Sequence, residues 1–222
     1  MPAAIQQSQM ESDRLSAIKT IDSEIRAIEE LKKSLDAESL TKALDFMQNS
    51  TGRIIITGMG KSGHIGKKIA ASLASTGTPS FFVHPAEASH GDLGMITDDD
   101  VVIAISNSGE SRELIDILNY CKRFGIKLIA ITKNQDSSLG KAGDVVLLLP
   151  NNGEACPLGL APTSSTTATL VLGDILTIRM IERKGFSKED FNDRHPGGKL
   201  GSILKRVSDL MHTGQDLSLI HI

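Results

Sequence analysis

The chain has 222 residues, with 24 Lys plus Arg against 27 Asp plus Glu, a net charge of −3 and no block of like charge. That balance suggests neither nucleic acid nor an acidic membrane surface as a partner, so an anionic ligand has to be met by a local site. With no Trp, one Tyr and six Phe the core must be aliphatic, and two cysteines, Cys121 and Cys156, make no disulfide framework; with no signal-like opening and no apolar run of spanning length, the expected setting is the reducing cytoplasm.

Residues 1–12 are polar and are expected to fray. From Leu15 to Leu35 apolar residues recur at helical spacing (Leu15, Ile18, Ile21, Ile25, Ile28, Leu31, Leu35), which predicts one long amphipathic helix. A second helix follows over Ser39 to Gln48. The stripe has to pack on something, and in an N-terminal helix that is often a neighbouring subunit. Residues 1–50 thus read as a helical segment ahead of the main domain, 51–206.

Five short apolar runs follow, at Arg53–Thr57, Phe81–Val83, Val101–Ile105, Lys127–Ile131 and Val145–Leu149. Helical stretches over Gly63–Thr76, Ser111–Phe124 and Thr163–Arg183 alternate with them. Buried strands alternating with helices predict an α/β three-layer sandwich around a five-stranded parallel sheet, with ligands at the carboxyl ends of the strands.

The first strand runs into Gly58-Met59-Gly60-Lys61-Ser62-Gly63-His64-Ile65-Gly66. This matches GxGxxG, but His84 stands after the second strand where a dinucleotide site wants an acidic residue, and Ile55 stands where a P-loop wants glycine. What remains is a glycine-rich turn opening a helix, with Lys61 adding a positive charge for an anion. Ser106-Asn107-Ser108-Gly109-Glu110-Ser111 after the third strand and Thr163-Ser164-Ser165-Thr166-Thr167 before the late helix repeat the theme. One hydroxyl cluster is ordinarily an N-cap; two, with the lysine loop, point to a small phosphorylated ligand.

These three motifs together resemble the sugar isomerase (SIS) family. Phe82-Val83-His84-Pro85-Ala86-Glu87-Ala88, His90-Gly91-Asp92-Leu93-Gly94, Glu154-Ala155-Cys156-Pro157-Leu158-Gly159-Leu160-Ala161-Pro162-Thr163 and His195-Pro196-Gly197-Gly198 narrow the resemblance to its arabinose-5-phosphate isomerase branch. The resemblance implies interconversion of D-ribulose 5-phosphate and D-arabinose 5-phosphate, feeding 3-deoxy-D-manno-octulosonate synthesis for lipopolysaccharide or capsule. It implies catalytic roles for Lys61, Glu113, Glu154 and His195, and substrate contacts at Gly60, Ser62, Gly77, Thr78, His90, Ser106, Asn107, Ser108, Ser111, Thr163, Ser164, Ser165 and Thr166. His84 corresponds to a position of inhibitory zinc, and no cofactor is required. Relatives form homotetramers with shared sites, so His195, far from the sheet loops in sequence, is expected to complete a neighbour's site.

An aldose–ketose isomerase needs a base that serves two adjacent carbons and polarisation of their oxygens as an enediolate forms. Glu154 is the candidate base, although a loop glutamate is ordinarily just solvated. Lys61 is the candidate for stabilising enediolate or phosphate charge, and His195 for moving protons between oxygens. Glu113 reads equally as a helix N-terminal charge; only the resemblance assigns it to positioning Lys61 or a sugar hydroxyl. His84, Glu87, His90 and Asp92 fit no helical ligand pair, so a catalytic metal is not expected, and Cys156 reads as packing. A last helix is expected at about Leu200 to Leu210. Val207 to Gly214 resembles the start of a cystathionine-β-synthase-type (CBS) regulatory domain, and Leu217-Ser218-Leu219-Ile220-His221-Ile222 reads as an artefactual tail. The rival readings are a non-catalytic phosphosugar-binding regulator, for which the first fifty residues offer no basic recognition helix, and a nicotinamide-dependent oxidoreductase, weakened by the missing acidic residue.

Overall fold

The computed structural model describes residues 3–195, with side chains from residue 6 onward. The expected helix over 200–210, the CBS-like start, the tail and the Pro196-Gly197-Gly198 turn lie outside the described residues. Two helices, α1 (Ala3–Ser34) and α2 (Ala37–Asn49), precede the sheet. The sheet strands are β1 (Ile54–Gly58), β2 (Ser80–Val83), β3 (Val101–Ile105), β4 (Lys127–Thr132) and β5 (Val145–Leu148). All pairings are parallel, in the order β2-β1-β3-β4-β5.

Between the strands run α3 (Gly60–Ser75), α4 (Pro85–Ala88), α5 (Ile115–Phe124) and α6 (Ser138–Ala142); α7 (Ser164–Lys184) and α8 (Lys188–Arg194) complete the described chain. Strands β1, β3 and β4 carry β-branched residues on both faces, and nearly every position is buried. One face packs Ile54, Ile56, Ile103 and Ile131 against α2, α3 and α7. The other packs Ile55, Val102, Ala104 and Leu128 against α4, α5 and α6. The expected three-layer sandwich is therefore present. Leu31 of α1 and Ala43, Leu44 and Met47 of α2 belong to the first of these cores.

Two differences from expectation have simple causes. Residues 3–12 continue α1 instead of fraying, because Ala, Gln, Met and Glu are good helix formers even without an apolar stripe. That stripe is also mostly unpartnered: Leu15, Ile18, Ile21, Ile25 and Ile28 are exposed, while Ala27 and Leu31 pack inward. The face of α1 that meets α7 thus lies about a third of a turn away from the isoleucine stripe, at 100° per residue.

Candidate functional site

In a 2-1-3-4-5 sheet the chain leaves β1 and β3 on opposite faces, and the carboxyl ends of these neighbours form a crevice. The β1 loop reaches it first. Gly60 takes φ +57° to turn the chain into α3, and a Cβ on Gly63 would sit 2.5 Å from the Gly58 carbonyl oxygen. Part of the glycine signature therefore serves close helix–strand packing. No side chain caps the first turn of α3, so its leading N–H groups stay open beside the exposed Lys61. After β3, Ser106 is buried; its Oγ lies 2.8 Å from Ser111 Oγ and accepts the Gly109 N–H at 3.1 Å. Ser106 is thus an internal strut of its loop, while Ser108 is exposed and accepts the Glu110 N–H through Oγ at 3.2 Å. The Asn107 carbonyl accepts the Lys133 N–H at 3.0 Å, whereas its side-chain Oδ1 is buried without a partner.

These loops and α7 enclose a cavity of about 140 Å³ lined by Met59, Lys61, Ser62, Ile65, Asn107, Pro162, Ser165, Thr166 and Thr169. Lys61 is the one charged side chain in that lining. Glu154 sits at the same end of α7. Its Oε2 accepts the Thr163 N–H at 2.8 Å, the Ser165 N–H at 3.1 Å and the Thr163 hydroxyl at 3.2 Å. Thr163 Oγ1 in turn accepts the Ala155 N–H at 2.9 Å, closing the return loop. Burial pushes the Glu154 carboxyl upward, but the hydrogen bonds from Ser165 and Thr163 outweigh it and hold its pKa below the ordinary glutamate value. Oε1 has no hydrogen-bond partner among the described residues.

The site residues expected from sequence fall at two ends of the sheet. The carboxyl end holds Gly60, Lys61, Ser62, Ser106, Asn107, Ser108, Ser111, Glu113, Glu154 and Thr163 to Thr166. His84 and His90 follow β2 at that end too. Ser164, however, is fully buried and meets Ser23 of α1 instead of the cavity. Glu113 lies exposed in a 3-10 turn (Arg112–Leu114) ahead of α5, with no contact to Lys61 in the described structure. Gly77, Thr78 and His195 lie at the opposite, amino end. Gly77 precedes β2 with φ +87°, and a Cβ there would fall 2.6 Å from the Phe186 ring. Arg194 lies over that same ring, 5.1 Å from its centroid. His195 stacks on Phe191 with centroids 3.8 Å apart, its Nδ1 2.8 Å from the Phe191 carbonyl oxygen. Helix α7, about 31 Å long at 1.5 Å per residue, connects the two ends.

His84 Nδ1 is buried and without a hydrogen-bond partner. No group of three or more His, Cys, Asp or Glu gathers among the described residues, so these offer His84 no coordination set. Cys156, read as packing, is a half-exposed free thiol in the loop between Glu154 and Thr163. Thr169 was missed, although it stands one turn after Ser165 on the same helix face. A larger depression of about 570 Å³ runs along β5, but three of its four charged side chains are engaged in structure: Asp36 caps α2, the Lys42 ammonium donates to the Asp144 carbonyl at 2.7 Å, and the Asp144 carboxylate accepts the Leu128 N–H at 2.8 Å. Among the described residues no helix is long and apolar enough to cross a membrane.

The fold and site define a doubly wound α/β protein with a polar, lysine-bearing crevice at its topological switch point. The chain belongs to the SIS domain family, whose model matches residues 47–179. It is 56% identical over 203 residues to arabinose 5-phosphate isomerase KdsD of Pseudomonas aeruginosa, covering 91% of this chain and 62% of that protein. It is 58% identical over 181 residues to the protein of the same name from Salmonella typhi, covering 81% and 55%. The chain thus spans between 55% and 62% of the length of these two curated relatives. Among solved structures it superposes on an E. coli CFT073 protein in complex with arabinose 5-phosphate, with a TM-score of 0.79 and 43% identity over 83% of this chain and 98% of that one.

Proposed function

We propose that this chain carries the isomerase activity of a cytoplasmic aldose–ketose isomerase interconverting D-ribulose 5-phosphate and D-arabinose 5-phosphate. The observation that carries the reading is the convergence of three loops on one small cavity, with Lys61 as its single charge and Glu154 on the N–H groups of α7 beside it. Identity above 50% to enzymes named for arabinose 5-phosphate supports that substrate. The 5-phosphate leaves the ketose open-chain and allows the aldose only a furanose ring, so ring opening is needed in one direction alone. Glu154 Oε1 takes the proton from the carbon beside the carbonyl and returns it to the neighbouring carbon, while Lys61 stabilises the enediolate charge between the two transfers. The hydroxyl proton moves between O1 and O2, a task that suits a histidine. No redox cofactor enters, since the proton shuttle leaves the overall oxidation level unchanged. The product would serve 3-deoxy-D-manno-octulosonate synthesis.

The reading includes an assembly of like subunits, as a homotetramer. His195, Gly77 and Thr78 are separated from Lys61 and Glu154 by the height of the sheet, so one protomer cannot bring both sets to one ligand. A second copy contributes the amino-end set, and the exposed stripe Leu15, Ile18, Ile21, Ile25, Ile28 suits such a contact.

The first test is isomerisation of ribulose 5-phosphate by the purified chain beside Glu154→Gln. Turnover that collapses in the variant supports the enzyme and its base; a folded parent that binds phosphosugar without turnover favours a regulatory SIS domain. Mixing inactive Lys61→Met with inactive His195→Asn chains should then restore part of the activity. Mixed oligomers that stay inactive would rule out sites shared in this way.

A further inference from the structure

We infer that Glu24 of α1, together with its neighbour Ser23, is a positioning residue for Glu154, acting through the first turn of α7. Both residues lie outside the SIS match at 47–179. On α1 most charged side chains around them, including Asp22, Arg26, Glu29 and Glu30, stay exposed, as helix-surface charges usually do. Glu24 instead turns its Oε2 onto the Thr167 hydroxyl, which donates at 2.8 Å. Ser23 Oγ lies 3.3 Å from Ser164 Oγ, and Ser164 is fully buried. Residues 164 and 167 stand three apart on one face of α7, so two successive α1 side chains grip a single helical turn. Ala27 and Leu31 extend the contact along α1, both almost fully buried.

The gripped turn is the one that holds the base. Thr163 and Ser165 supply the N–H groups on Glu154 Oε2, and the Thr167 N–H closes the turn on the Thr163 carbonyl at 2.9 Å. Ser165 and Thr166, between the two gripped residues in sequence, line the cavity. On its inner side α7 is fixed by Ala168 and Leu172, both fully buried. On its outer side the polar fixings of the first turn come from Glu24 and Ser23. A carboxylate near a helix N-terminus is also electrostatically favoured. Small displacements of a catalytic group are costly, up to about 100-fold for 1 Å. Charged groups near this turn include Lys61 on α3, which shares the cavity lining with Ser165 and Thr166, and Glu24 on α1.

The kinetic part of this inference rests on Glu154 being the base; its spectroscopic part does not. The experiment compares the parent chain with Thr167→Val, Glu24→Ala and Glu24→Gln, each checked for matching far-UV circular dichroism and thermal unfolding. Thr167→Val removes the bond from the α7 side and leaves α1 intact, so it decides the matter if Glu24→Ala does not fold. The titration of the Glu154 carboxyl is followed by 13C NMR, with Glu154→Gln for assignment. Loosening the turn should move that titration upward toward the ordinary glutamate value in Thr167→Val and Glu24→Ala, while Glu24→Gln, which keeps an acceptor, stays near the parent. In the same variants kcat should fall by roughly tenfold, with KM changed less than about twofold. A Glu154 titration unmoved in Thr167→Val overturns the inference, whether or not the parent turns over. A parent that fails to isomerise defeats the functional reading alone.

Discussion

Replacing Glu154 separates the cap seen in the structure from the base role proposed for the same side chain. Its Oε2 caps α7 through the N–H groups of Thr163 and Ser165, and its Oε1 has no hydrogen-bond partner among the described residues. Glu154→Ala removes the cap and leaves those two N–H groups without their acceptor. Loss of an N-cap costs about 0.5–2 kcal/mol, which in a domain of this size lowers Tm by roughly 1–8 °C. Glu154→Gln keeps an oxygen in place and loses only the charge at the helix N-terminus, about 0.3–1 kcal/mol and a few degrees at most. Both should lower kcat by about 10²–10⁴, the usual contribution of a general base. The expected signature is therefore two variants equal in activity and unequal in stability. Their pH dependence has a defined sign. The native carboxyl is held below its ordinary value of 4.5, so its stabilisation is complete above that value and is lost as the pH falls through the native-state pKa. The parent and Glu154→Gln should accordingly differ in Tm at neutral pH and converge in acid. The assays are ribulose 5-phosphate isomerisation and thermal unfolding at several pH values. A Glu154→Gln enzyme within about tenfold of the parent would reduce Glu154 to a cap and refute its role as base.

Lys61→Met should leave Tm within about 1 °C, since Lys61 is exposed and unpaired in the described structure, and should lower kcat by about 10²–10³ in the same assay. Gly109→Ala should destabilise by about 2–4 kcal/mol, because φ +75° is strained for alanine and the new Cβ would overlap the Ser137 side chain; a Tm within about 2 °C of the parent would contradict this. The two thiols should differ sharply toward iodoacetamide at about pH 8. The N–H groups of Ala161, Leu160, Leu158 and Gly159 lower the Cys156 pKa, whereas burial, then the nearby Asp144 charge, pushes Cys121 up to about 12. Peptide mapping should find Cys156 modified first and Cys121 only after unfolding, and equal rates would contradict the assignment.

The sheet was legible because parallel strands buried on both faces leave short runs such as Ile54-Ile55-Ile56 and Val101 to Ile105, bounded by turn residues. The same reasoning brought Lys61, Ser106 to Ser111 and Thr163 to Thr166 to one edge. It did not reveal which hydroxyls face inward. Ser106 is absorbed by its own loop and Ser164 by α1, because each sits where a tight turn or a helix crossing needs a small polar partner. Nor did it show that the N-terminus of α7 already holds a carboxylate, since the loop that folds Glu154 back onto Ser165 carries no pattern of its own. The place of Gly77 and Thr78 at the far edge follows from their preceding β2, a signal hidden by the motifs that follow strands. The reach of α1 onto the site had no signature, because one Glu among many on an exposed helix looks like solvated charge.

The division of residues between the two sheet ends gives the proposed assembly a mechanistic consequence. Helix α7 spans both ends, with the Glu154 cap at Ser165 and, past its far terminus, Phe186 against Gly77. A rigid helix of about 31 Å cannot fold its ends together. In the proposed assembly, a ligand that needs Glu154 and His195 would therefore lie between subunits. Helix α1 then serves two purposes with two faces. Ser23, Glu24, Ala27 and Leu31 bear on α7, while Ile18, Ile21, Ile25 and Ile28 offer an apolar surface for another copy. A substitution on the second face, such as Ile21→Glu, would weaken the assembly and also loosen the helix that steadies the base. Loss of subunits and loss of turnover should then run together as protein concentration falls, even though no residue of that stripe reaches the cavity.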